Sequence, residues 1–389
     1  MRGWLLALWL AAFPAWAQQA PIVVGAVVSE TGLLADLARE MRQALILWQE
    51  ELNAAGGLLG RPIELRLLDD RSEAAAALSL YARLIEQDRA DLLIGPFGSA
   101  ATVAASASAE RARRVLVNAT GVTRGVHRPE RRYVFQVPAP VAQYGEGALA
   151  LARAAGHSRL QVVARNEPGA REAAERLAAD AVALGMQVVV QMASPGAAGY
   201  AEQIAAARAR GAEAWIAFGR AQDAAGLVKA FKRADYAPPM FLAQGAAEPE
   251  FVQRVGQDAE FALGITAYDP RFATRGNAEF AARWRERWKG EPGLVAANAY
   301  SAALVLEAAV RMAGGLEQER LRAALAALET ETPIGRYRVG EGGVQLGAKP
   351  AVVQILRGRA EIVWPRALAT AQLRLPYPRW DQRQVHAAQ

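Results

Sequence analysis

The sequence predicts an α/β protein built as two doubly wound lobes in tandem. Three observations carry this. Apolar, β-rich runs alternate with alanine-rich helical runs almost without interruption; the alternation restarts after a proline-closed strand at Tyr133–Pro138; and 389 residues suffice for two domains. Repeated strand and helix predict parallel sheets covered on both faces, and the carboxyl ends of such strands are where open α/β sheets take ligands. Two lobes facing one another across a cleft form a clamp for a small molecule.

The chain opens on Arg2, an apolar run from Trp4 to Ala12, and Ala15-Trp16-Ala17 before Gln18. This is the charge, hydrophobic core and small-residue pattern of a cleaved secretory signal, and the run is shorter than the ~20 residues that span a bilayer. Residues 1–17 therefore read as a signal peptide. Removing those 17 residues leaves 372 of 389 and takes the formal charge from +6 to +5 with the loss of Arg2. No later stretch reads as long and apolar enough to span a membrane. The chain has no cysteine, so neither disulfides nor a lipid-modified terminal cysteine is expected, and a large core must hold the fold.

Strands are expected at Ile22–Val28, Ile63–Leu68, Asp91–Ile94 and Val115–Val117, with helices over Leu37–Ala55, Ala74–Gln87 and Ala100–Arg111. On the first helix Ala44, Leu45, Trp48 and Leu52 share a face, and Gly56-Gly57 marks its end. The second series has strands at Leu160–Ala164, Gln187–Val190, Ala214–Phe218 and Met240–Leu242. Its helices lie near Ala142–Ala155, Ala170–Leu184, Ala201–Arg210 and Gln222–Arg233. After Phe261–Ala267 come helices near Asn277–Trp288, Val295–Ala313 and Glu319–Leu328. A hairpin of Ala351–Leu356 and Ala360–Trp364 then turns at Arg357-Gly358-Arg359. The tail from Pro365 reads as an extended strap or a disordered end. The arginine clusters at 111–114 and 128–132 lack interleaved aromatics and read as solvated faces, not a nucleic-acid surface. With no exposed heptad or long edge strand, a monomer is expected.

The most informative segment is Leu92-Leu93-Ile94-Gly95-Pro96-Phe97-Gly98-Ser99-Ala100-Ala101-Thr102, an apolar strand ending in small residues where a helix starts at once. Ser99 sits at the expected N-cap, so its hydroxyl and the first helix amides make an anion cradle. No histidine spacing recurs as a metal site among His127, His157 and His386, and no nucleophile elbow, P-loop or dinucleotide fingerprint is present. Adjacent Asp69 and Asp70 point to opposite faces of a strand and read as a helix cap or solvent contact, not as an acid–base pair. The expectation is therefore no enzyme, no cofactor and no metal.

Several landmarks occur in order: Ile22-Val23-Val24-Gly25, Ser29-Glu30-Thr31-Gly32, Leu52-Asn53-Ala54-Ala55-Gly56-Gly57, Leu68-Asp69-Asp70, Ile94-Gly95-Pro96-Phe97-Gly98-Ser99 and Pro333-Ile334-Gly335. On these the chain resembles the periplasmic solute-binding proteins of branched-chain amino acid ABC transporters, the Leu/Ile/Val-binding type with a type I periplasmic-binding fold, from about Ile22 to Trp364. The resemblance implies three crossovers, near Pro138, Thr266 and Gly342. It assigns lobe 1 to 18–137 plus 267–342, lobe 2 to 138–266 plus 343–364, and a tail to 365–389. It further implies a periplasmic location, permease and ATPase subunits as partners, and ligand carboxylate binding by Ser99 and by Thr123, with Thr120 as the near alternative. Main-chain groups around Phe97 and Gly121 complete the implied cradle.

The departures from that family are as informative. Asp36 stands in Leu34-Ala35-Asp36-Leu37 and Asn166 in Asn166-Glu167-Pro168-Gly169, where relatives carry aromatic residues; Arg220 falls near another aromatic position. Gln244 aligns with the carboxylate that receives the ligand ammonium in amino-acid binders. A neutral amide cannot supply that charge-assisted bond. The expected ligand is a small carboxylate-bearing molecule: a branched-chain amino acid, or a related organic or aromatic acid or amide. A sensor of the same fold feeding a signalling receptor is the alternative function.

Overall fold

The computed structural model describes residues 20–128, 130–193 and 200–383. The expected signal peptide and His386 lie outside the described residues. Five parallel strands form the first sheet: β1 (Ile22–Val28), β2 (Ile63–Asp69), β3 (Leu92–Ile94), β4 (Leu116–Asn118) and β5 (Val134–Gln136), in the order β2-β1-β3-β4-β5. β1 is apolar on both sides and almost wholly buried, which only a central strand covered on both faces allows. Helix α1 (Ala35–Ala54) covers one face. Helices α2 (Ala76–Glu86) and α3 (Ser99–Arg111) pack on the other, where Tyr81, Leu84, Ala101 and Ala105 meet Val27, Leu93 and Leu116.

The second series runs α4 (Glu146–Ala154), β6 (Arg159–Arg165), α5 (Pro168–Ala183), β7 (Gln187–Ala193), α6 (Tyr200–Ala209), β8 (Ala214–Phe218), α7 (Ala221–Arg233), β9 (Met240–Ala243), α8 (Pro249–Val255) and β10 (Leu263–Thr266). The chain then returns to the first sheet as α9 (Asn277–Trp288), α10 (Leu294–Ala313) and α11 (Gln318–Ala327). A small hairpin follows, β11 (Thr330–Thr332) with β12 (Gly335–Tyr337), before β13 (Ala351–Leu356) and β14 (Arg359–Trp364) join the second sheet. That sheet has the order β14-β13-β10-β9-β8-β6-β7, parallel from β7 to β10 and antiparallel at β13 and β14. The chain thus passes between sheets three times, after β5, β10 and β12. Gln345 donates from Nε2 to the Val137 carbonyl at 2.8 Å and ties the first passage to the third.

Three expectations are corrected. By length and composition α10 could cross a membrane, with mean hydropathy 1.3, but 67% of that window is buried, packed on α1 and α11. It is a core helix: each Val or Leu it hides contributes roughly 1.5–3 kcal/mol, and Tyr300 on it stacks on Phe280 at 4.6 Å. The arginine clusters are not all solvated, for Arg131 is buried and donates to the carbonyls of Gly125 and Val126, while Arg114 donates to those of Ala90 and Asp91. Of the two readings of the tail, the strap is the one the structure has through Arg383. Arg374 and Gln354 exchange two hydrogen bonds that anchor it to the second sheet, and within the tail Arg383 lies 3.5 Å over the Trp380 ring. Finally, β2 and β7 are seven-residue edge strands, so the sequence argument for a monomer from edge length does not hold.

Candidate functional site

The β3–α3 junction is shaped by two glycines. Gly95 (φ +96°) lies against Met41, where a Cβ would stand 2.6 Å from the methionine methyl, and Gly98 (φ +84°) faces open space. Gly98, not Ser99, is the N-cap, because its left-handed-side φ suits a glycine; Ser99 is the first helical residue. No side chain caps α3, so its first amides face the carboxyl end of the sheet uncapped.

The turn after β4 is fastened to this junction. Asn118 Oδ1 accepts from the amides of Gly121 (2.7 Å) and Thr120 (3.2 Å), and its Nδ2 donates to the Gly121 carbonyl at 2.8 Å. The Thr120 hydroxyl accepts from Gly98 N at 2.7 Å and donates to the Pro96 carbonyl at 2.8 Å. Its only proton is thereby committed to the scaffold. Ser99 Oγ, by contrast, accepts from the Val122 amide at 3.1 Å and donates to no group among the described residues, so its proton is left to donate. Phe97, Ser99 and Gly121 are thus brought together. Thr123 instead begins the short turn Arg124–Val126 and lies against Gly169 of the second unit. Two contributors escaped the sequence reading, Asn118 and the Val122 amide; a buried Asn closing a strand before Ala119-Thr120-Gly121 was the available signal.

The wall beside the cradle is the loop from Ser29 to Leu34. Asp69 does not cap a helix but binds this loop, accepting from the Thr31 hydroxyl (2.7 Å) and the Glu30 amide (2.9 Å), while Asp70 takes the Ser72 amide at 2.9 Å. Desolvation pushes the Asp69 carboxyl up, but the bonds from Thr31, Arg71 and Glu30 outweigh it and hold it below the usual carboxylate range. Leu33 is 94% exposed and Leu37 59%. Asp36 is exposed in the first turn of α1, where it pairs with Arg39.

The carboxyl ends of β6, β8 and β9 carry a different chemistry. Arg165 bridges Glu167 (2.6 Å) and Asp223 (3.0 Å), Arg220 reaches both Glu167 oxygens at 3.2 Å, and Asp223 also accepts the Arg220 amide at 2.9 Å. Desolvation raises the Glu167 carboxyl, and its two guanidinium partners more than reverse this. Glu248 accepts from the Ala221 amide at 3.1 Å. Gly245 sits so tightly on Arg220 that a Cβ would lie 2.1 Å from the Arg220 carbonyl carbon, which makes Gln244 and Arg220 neighbours. Gln244 is half-buried and has no side-chain hydrogen bond among the described residues. Asn166 is exposed and accepts from Arg171.

The two units touch where the buried Glu172 carboxylate accepts twice from the Arg124 amide, at 3.0 and 3.1 Å; burial raises this carboxyl above its ordinary range. On one side a cavity of about 390 Å³ brings Thr123 and Asn166 together with Glu167. On the other a cavity of about 470 Å³ lies against the passages between the sheets and takes in His127. Burial pushes the His127 imidazole down to about 4, so it is neutral at pH 7, with Nδ1–H assigned to the Gly342 carbonyl at 3.0 Å and Nε2 facing the Asn118 amide at 3.5 Å.

A sequence model of the periplasmic binding protein family matches residues 21–359. An amino acid binding protein of Pseudomonas aeruginosa is 34% identical over 87 residues, 22% of this chain; the match spans only 23% of that protein's length. A leucine binding protein from Thermotoga maritima superposes with a TM-score of 0.71 at 22% identity, covering 88% of this chain and 97% of that one. A solute binding protein of an ABC transporter from Rhodopseudomonas palustris, in complex with 3,4-dihydroxybenzoic acid, does so with a TM-score of 0.72 at 18% identity, covering 93% and 99%. These two structures share the fold of this chain. The matched family and these relatives are binding proteins, not enzymes.

Proposed function

The chain belongs to the periplasmic binding protein family, and we propose that it is the solute-binding component of an ABC uptake transporter, taking a small carboxylate-bearing ligand between its two sheets. On this reading residues 1–17 are cleaved on export to the periplasm. Lobe 1 is 18–137 plus 267–342, lobe 2 is 138–266 plus 343–364, and the lobes bend about the three passages to close on the ligand. The mature chain acts as a monomer that delivers its cargo to permease and ATPase subunits.

The observation that carries the reading is the uncommitted proton of Ser99 beside the uncapped start of α3. Backbone amides and one hydroxyl, without a counter-charge, suit a carboxylate. Phe97 and Gly121 flank it, and Asp36 and Asn166 stand at the rims. Across the cleft, Glu167 and Asp223 are engaged by arginines and Glu248 by a backbone amide, and Gln244 is neutral. Of these carboxylates Glu248 alone lacks a guanidinium partner, and the position that aligns with the ammonium-binding carboxylate is the neutral Gln244, so an organic or aromatic acid, or an amide, is favoured over leucine. Mass spectrometry of small molecules released by denaturing freshly purified protein tests this. A stoichiometric carboxylic acid or amide supports the reading, and a stoichiometric solute that is neither contradicts it.

A further inference from the structure

We propose that the 470 Å³ cavity beside the passages is a second binding site, selective for a small dianion of the hydrogen phosphate type. Its charge is unbalanced: four cations (Arg124, Arg176, Arg338, Lys349) against two carboxylates (Glu146, Glu172) give the lining a formal +2. Both carboxylates are already answered, Glu146 by Lys349 at 2.6 Å and Glu172 by the Arg124 amide. The Arg338 guanidinium has no hydrogen bond or ion pair among the described residues. Arg124 and Arg176 pair outward with Glu175 (3.2 Å) and Asp180 (2.9 Å). Those pairs are exposed, and pairs of that kind hold weakly enough for a doubly charged ligand to draw the guanidinium groups inward.

A further group narrows the choice among dianions. Gln143 lines the same cavity, and its Oε1 is enclosed with no donor to satisfy it, while its Nε2 is given to the Gln345 carbonyl. A buried acceptor without a partner is costly. Hydrogen phosphate brings a hydroxyl proton that can meet it once the Gln143 amide turns into the cavity, and sulfate does not. Thr123 borders this cavity, but none of Phe97, Ser99, Thr120, Gly121 or Val122 lines it, which separates it from the Ser99 cradle.

The test is a calorimetric and thermal-melt titration of the whole mature protein with sodium phosphate, sulfate and chloride at matched ionic strength. Wild type, Arg338→Gln, Arg176→Gln and Ser99→Ala are compared. Phosphate should raise the melting temperature above chloride and above sulfate. Either arginine variant should bind phosphate at least tenfold more weakly while melting like wild type in chloride, and Ser99→Ala should retain the site. Equal effects of phosphate and chloride would overturn the proposal. So would phosphate affinity unchanged in both arginine variants, or lost in Ser99→Ala but kept in Arg338→Gln, which would put the ion in the cradle.

Discussion

The two sheets turn their strand ends to the same space with opposite chemistry. The first offers neutral donors held by a rigid scaffold: Asn118 fixes the Thr120–Gly121 turn, Thr120 spends its proton on Pro96, and Ser99 keeps one spare. The second offers charges, but they are matched to one another through Arg165, Glu167, Arg220 and Asp223. A hydroxyl and helix amides can wait in water at little cost, whereas an unmatched buried charge cannot. The first face therefore suits an anion, and on the second only Glu248 is left without a guanidinium partner.

The largest expected effect that sharpens this contrast is Ser99→Ala. It deletes a hydrogen bond to a charged group, roughly 1.5–3 kcal/mol or about one to two decades in affinity, and isothermal titration with a bound acid reads it. An affinity equal to wild type would remove Ser99 from the site. A smaller effect concerns what lies behind the cradle. Because burial lowers the folded-state His127 to about 4, against ~6.5 unfolded, its contribution is full above ~6.5 and is lost as pH falls toward 4. Between pH 7 and 5, His127→Gln should lose less stability than wild type in parallel urea melts; parallel losses would show that His127 carries no such linkage. The smallest effect belongs to the second face. Arg220 is 62% exposed and its pair with Glu167 is worth under about 1 kcal/mol, so Arg220→Gln should change acid affinity by no more than a few-fold. A loss as large as that of Ser99→Ala would erase the contrast.

The fold was legible in the sequence wherever a period repeated. β1, β8, β13 and α9 fall on their expected bounds because each is bracketed by turn residues or closes a strong apolar pattern. The hairpin of β11 and β12 was not, since three-residue strands carry too little alternation and Pro333-Ile334 is not a familiar hairpin turn. Nor was α8, whose seven residues are barely two turns. In the candidate site, the strand-to-helix junction at Ser99 was legible, though the glycine before it takes the cap. What the sequence could not show is which hydroxyl has a proton to spare. Thr120, Thr123 and Ser99 look alike in a string, and only the bonds from Thr120 to Pro96 and from Val122 to Ser99 separate them. The matching of Glu167 by two arginines, one of them 53 positions away, is likewise a product of the sheet order β9-β8-β6.

On the proposed reading this cleft grips a carboxylate and meets an α-ammonium with the neutral Gln244. Leucine and 4-methylpentanoate carry the same carboxylate and the same branched chain, and differ only in the α-ammonium. Titrating both into ligand-free protein by calorimetry, under identical conditions, isolates that one group. Tighter binding of 4-methylpentanoate is expected; leucine binding tenfold or more tightly than its deaminated twin would contradict the proposed reading.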